Sequence, residues 1–245
     1  MRQIISLQFF YNKSANIAAC LILGSGFFLS YGLLAGLLLA PIDYQQKEAV
    51  RIMYVHVPCA LLSLSVYTII GVMSLVYLIW RIKLADIVAE VSASFGAAVT
   101  IVALVSGSLW GKPMWGAWWV WDARLTSELI LLFLYFGYMG LRSAITDKTM
   151  AANVAAILAV VGLIDIPIIH FSVNWWNTLH QGATISKFAK PDIDMAMLYP
   201  LLSTLLGLYM LYFALVCIKA RTEILWRERH TKWVKNLLIG ETAYV

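Results

Sequence analysis

Apolar residues gather in six long blocks, at about residues 15–40, 52–80, 87–109, 125–141, 150–171 and 198–218. Short polar links divide them. About 20 apolar residues are enough for a helix to cross the hydrocarbon of a bilayer. The expected fold is therefore all-α: a polytopic membrane protein, a bundle of six transmembrane helices forming one domain over residues 1–245. Residues 1–14 read as a polar and aromatic lead, and Pro41 reads as the stop of the first span. Gly32 and Gly36 stand at GxxxG spacing, which lets a second helix approach closely. Pro58 follows the start of the second span closely, where proline is tolerated. Asp165 and Pro167 fall inside the fifth. The first block lacks a small-residue cleavage site, so it is expected to remain as a span rather than a signal peptide.

Composition agrees with this pattern. The chain is 62% hydrophobic and 13% charged, against about 25% charged in a soluble domain. The net charge of +5 reflects topology and not nucleic-acid binding. With six spans, 12 of the 18 Lys and Arg fall on the side shared by the two termini. The positive-inside rule then places both termini in the cytoplasm. The basic tail, residues 219–245, is expected as a cytoplasmic amphipathic helix near lipid headgroups or a partner. Cys20, Cys59 and Cys217 form no CxxC or CxxCH motif, so neither a dithiol centre nor covalent haem attachment is indicated.

Chemistry concentrates in the external segment 110–126, WGKPMWGAWWVWDARLT, which holds five tryptophans in twelve residues: Trp110, Trp115, Trp118, Trp119 and Trp121. Gly111, Pro113 and Gly116 are expected to break any helix there. Seven of the ten tryptophans and three of the four histidines lie on the external side, whereas an aromatic belt would populate both interfaces. Several flat faces beside His56 and His180, the latter in the long external loop 173–197, suit a flat ligand such as a porphyrin with an imidazole on each face. Arg51, Lys112 and Arg124 supply cations on that side. His170 is expected to cap the fifth span. Glu128 is expected to pair with Arg124 at i,i+4, and the intramembrane Asp165 to be a hydrogen-bonded carboxyl at a helix contact. No hydrolytic triad, P-loop or zinc motif is visible, so the chain reads as a non-enzyme that would need a partner for ATP-driven work. Three alternatives stay open at this level: a cytochrome b-like electron-transfer subunit, a small-solute transporter using Asp165, and a structural subunit whose aromatics only dock partners.

The segment from Trp110 to Thr126 resembles the WWD signature of haem-handling membrane proteins in cytochrome c maturation. YVHVPCA at 54–60 and PIIHFSVNWWNTLHQGAT at 167–184 resemble the CcmC type, the haem exporter C family. The resemblance covers roughly residues 40–218. It implies haem b as non-covalent cargo, presented on the periplasmic side and passed to the haem chaperone CcmE. It further implies His56 and His180 as axial ligands of the haem iron. Trp110, Trp115, Trp118, Trp119, Trp121 and Asp122 would be the haem-holding segment, with Arg51 and Arg124 beside it. The implied partners are the ABC-type subunits CcmA and CcmB and the small membrane protein CcmD. The implied location is the bacterial inner membrane, with the mitochondrial inner membrane as the alternative.

Overall fold

The computed structural model describes residues 6–180 and 193–242. Six helical segments in it are long and apolar enough to cross a membrane, as the block pattern implied. Helix α1 spans Leu7–Leu34 and ends in a π-helical turn, Ala35–Leu39. A 3-10 turn, Glu48–Ile52, leads into α2, Met53–Trp80. Then come α3, Lys83–Trp115, and α4, Ala123–Ala144. The fifth span is two helices, α5 (Lys148–Gly162) and α6 (Asp165–Trp175). Last are α7, Met195–Arg227, and α8, Lys232–Thr242.

The helices outrun the apolar blocks, because the blocks mark what lipid covers and the caps mark where the backbone turns. Ser6, Asp122, Asp147 and Asp194 each accept an amide N–H of the first turn of α1, α4, α5 and α7, satisfying donors that helix starts leave open. Residues 7–14, expected as lead, are thus already helical, and the first nine residues of the expected tail continue α7. Further along the tail, Lys232–Thr242 form a helix, whose Trp233 packs on Tyr11 of α1 at 5.7 Å between ring centroids. The break in the fifth span has a local cause. Pro167 has no N–H to offer the carbonyl of Leu163, and the N–H of Ile166 takes that carbonyl instead at 3.3 Å, tightening the turn.

Helix α2 packs along α3, α4 bridges α3 to α5 and α6, and α7 lies against α2 and α3. The core they enclose is built around Leu62, Val66, Tyr67, Ile70, Leu131 and Tyr135. Helix α1 stands outside this group and packs almost wholly on α7. Close approach there depends on Gly32: a Cβ at this position would lie 2.6 Å from the backbone nitrogen of Thr204 and 2.9 Å from the carbonyl of Pro200. The other glycine of the GxxxG pair, Gly36, faces the ring of Tyr54 instead. Gly32→Ala is expected to force the helices apart and cost about 1–3 kcal/mol. The readout is the thermal unfolding midpoint in detergent, and an unchanged midpoint would show that α1 is held by other contacts.

A charged network closes one end of the bundle. Asp86 of α3 receives Arg142 of α4 at 2.6 Å and Arg227 of α7 at 2.7 Å. Both guanidinium groups also pair with Glu90, and Arg227 with Glu223 at 2.6 Å. Asp86 and Arg142 are buried. Their charges are therefore held by one another rather than by solvent.

Candidate functional site

The far end of α3 from this network carries the tryptophan segment. Contrary to expectation, Gly111 and Pro113 do not break the helix. It runs through both to Trp115 and stops at Gly116, whose φ of 76° is left-handed. A last-turn proline costs one carbonyl its helical partner, while glycine takes the left-handed conformation without a Cβ penalty. Gly111 has a different use: its missing Cβ gives space to the indole of Trp115, which would otherwise stand at 2.9 Å. Lys112 closes the turn by donating to the carbonyl of Gly116 at 3.1 Å.

Helix α2 brings His56 to the same end. Its Nδ1 lies 2.9 Å from the carbonyl oxygen of Ala103 and 3.2 Å from the hydroxyl of Ser106, both on α3. A carbonyl only accepts, so Nδ1 carries the proton and Nε2 keeps its lone pair. Gly107 makes this packing fit, since a Cβ there would lie 2.8 Å from Cε1 of the imidazole. Trp110 meets the imidazole edge to face at 5.6 Å and 80°. Its indole N–H donates at 2.9 Å to Gln46 in the loop before α2.

His180 arrives from the other side of the sequence. Helix α6 ends at Trp175, and the chain turns back over the bundle so that the rings of His180 and His56 stand 6.4 Å apart, inclined by 36°. Trp115 flanks His180 at 6.2 Å. His56, Trp110, Trp115 and His180 therefore form one cluster, although 124 residues separate the histidines in sequence.

The other predicted residues sit around the cluster rather than in it. Trp119 and Trp121 meet edge to face at 5.5 Å, and Trp118 lies under the ammonium of Lys112. Trp118 and Trp121 are exposed, while the indole nitrogen of Trp119 is buried with no partner among the described residues. Arg51 pairs with Glu48 at 2.5 Å and donates to the carbonyl of Gly36 at 3.3 Å. Arg124 donates to the carbonyl of Ile169 at 3.3 Å. It does not take up the expected bond with Glu128, which instead accepts the hydroxyl of Ser63 at 2.7 Å across the α2–α4 contact. Asp122 caps α4 and also accepts the hydroxyl of Thr178. His170 does not cap a helix end. It lies within α6, exposed, with its ring edge to face on Phe171 at 4.8 Å. Asp165 is buried, and its Oδ2 has no partner among the described residues.

Sequence reasoning missed Gln46, Ser106, Gly107 and Thr178. Thr178 stood two residues from a singled-out histidine. Nothing in the local pattern marked the other three, because their roles arise from contacts between distant segments.

Fold and site together define a polytopic membrane protein that presents paired imidazoles among clustered indoles at one end of its bundle. The model of the heme exporter protein C family matches residues 1–235, and the chain belongs to that family. Heme exporter protein C of Haemophilus influenzae is 49% identical over 209 residues, covering 85% of each chain. That of Escherichia coli K12 is 46% identical over 211 residues, covering 86% of this chain and 85% of its own. A putative cytochrome c biosynthesis ccmC-like mitochondrial protein of Marchantia polymorpha is 42% identical over 217 residues, covering 89% of this chain and 92% of its own.

Proposed function

We propose that this chain acts in haem export for cytochrome c biogenesis by holding haem b, non-covalently, between His56 and His180. In this reading the site faces the periplasm, as the Lys and Arg distribution favours. The haem then passes to a chaperone of the CcmE type. CcmA, CcmB and CcmD type subunits complete the working complex in the inner membrane.

The observation that carries the reading is the spacing of the two imidazoles. Two metal–imidazole bonds of about 2 Å each, added to the two ring radii, come to about 6 Å, close to the 6.4 Å found. His56 is already in the tautomer that offers Nε2, because Ala103 and Ser106 hold its other nitrogen. Such outer contacts orient a ligand and raise its basicity. No group of three or more His, Cys, Asp or Glu suited to a metal ion occurs among the described residues. Two imidazoles instead complement an iron that brings four ligands of its own.

Trp110 and Trp115 would flank the cargo, and the exposed Trp118 and Trp121 would extend an open apolar margin around it. That openness suits a molecule that must leave. Arg124, at the start of α4, and Arg51, on the turn before α2, are the candidates for the propionates. Guanidinium suits a carboxylate because it pairs in a fork. In this reading both imidazoles are taken up by the iron, and covalent chemistry is left to the chaperone.

The test is the visible absorption spectrum of protein purified from haem-replete cells, beside His56→Ala and His180→Ala. The parent is expected to show a low-spin six-coordinate Soret band, weakened or shifted in each variant. Three identical spectra would overturn the assignment of the ligands.

A further inference from the structure

We infer that Thr178 is a positioning residue for the haem site, fastening the His180 loop to the start of α4 through Asp122. The inference rests on the proposed ligation by His180 and deepens it. Beyond the last helical bond of α6, from the N–H of Trp176 to the carbonyl of Ser172, the chain has no regular structure through His180. A histidine on such a segment needs a fastening if it is to stand opposite His56. The hydroxyl of Thr178 supplies one by serving two partners. It donates to Oδ2 of Asp122, and it accepts the backbone N–H of His180 at 3.0 Å. Oδ1 of Asp122 is meanwhile occupied by the N–H of Leu125 at 2.8 Å.

The carboxylate thus joins a rigid helix start to the histidine loop. The charge makes its bond with the hydroxyl a strong one, and the β-branched threonine has few rotamers in which to lose it. Asp122 therefore acts on the haem through His180 rather than by touching it. Its place in the tryptophan segment is explained by the helix it starts and the loop it holds.

Four variants test this. Thr178→Val keeps the shape and removes the hydroxyl. Thr178→Ser keeps the hydroxyl. Asp122→Ser keeps a helix cap but is too short to reach Thr178. His180→Ala reports on ligation itself. In haem-free protein, hydrogen exchange at the His180 amide is expected to rise at least tenfold in Thr178→Val and Asp122→Ser and to stay near the parent rate in Thr178→Ser. In haem-loaded protein the same two variants are expected to move from a low-spin towards a high-spin five-coordinate spectrum, with Thr178→Ser like the parent. If Thr178→Val fails to elute as folded protein, Asp122→Ser carries the test.

Parent-like exchange and spectrum in Thr178→Val and Asp122→Ser, with His180→Ala altered, would overturn the fastening and leave the ligation standing. A parent-like spectrum in His180→Ala would overturn the ligation, whereas exchange in haem-free protein would still decide the fastening.

Discussion

Gly107→Ala is expected to abolish the low-spin haem signature while leaving the bundle folded. The added methyl would stand 2.8 Å from Cε1 of His56, closer than a Cβ tolerates, and a tight 3.3 Å from Nδ1. The backbone around it is a continuous helix on both sides, so the imidazole is the part that must move. Moving it breaks the bond between Nδ1 and Ala103 and changes how the ring stands against His180. Loss of a group that orients a metal ligand typically lowers metal affinity about 10–100-fold, and here the proposed ligand itself would be displaced. The measurement is haem titration of the purified variant, with a thermal midpoint alongside. Parent-like haem affinity would mean that His56 does not hold the iron.

The second large effect lies at the opposite end. Asp86→Asn is expected to destabilise the protein by about 3 kcal/mol, since breaking a buried charge pair leaves its partner uncompensated. Asp86 is shared by Arg142 and Arg227, so its loss leaves Arg142 with Glu90 alone and Arg227 with Glu90 and Glu223. Arg142→Gln in the same chain removes one of the stranded charges. The double variant is therefore expected to be more stable than the sum of the single losses predicts. Strict additivity of the unfolding midpoints would show that the three helices are not tied through this carboxylate.

Six spans were legible from the sequence because burial in lipid leaves an unbroken apolar record. Helix ends were less so: Asp122, Asp147 and Asp194 start helices from polar positions that an apolar block excludes. Pro113 misled because, two residues before the helix end, it removes one bond, to the carbonyl of Leu109, and leaves little helix beyond it to disturb. Glu128 misled for another reason. The i,i+4 partner is the nearest one along the chain, but Ser63 on another helix is nearer in space. The histidines and tryptophans were legible as a shared side of the membrane. That Trp110 and Trp115 flank the histidines while Trp119 and Trp121 pair with each other followed from a helix continuing to Trp115 and a loop after Gly116.

The two histidines are mounted differently. His56 rides on a long helix and is bolted to a second one by its own ring nitrogen. His180 rides on an irregular segment fastened through its backbone. Were a flat cargo held between them, as proposed, one jaw would stand on a helix and the other on a loop. Unloading would then ask more of the loop than of the helix, and an incoming donor would take its place on the loop's face while the helix jaw keeps the cargo in register.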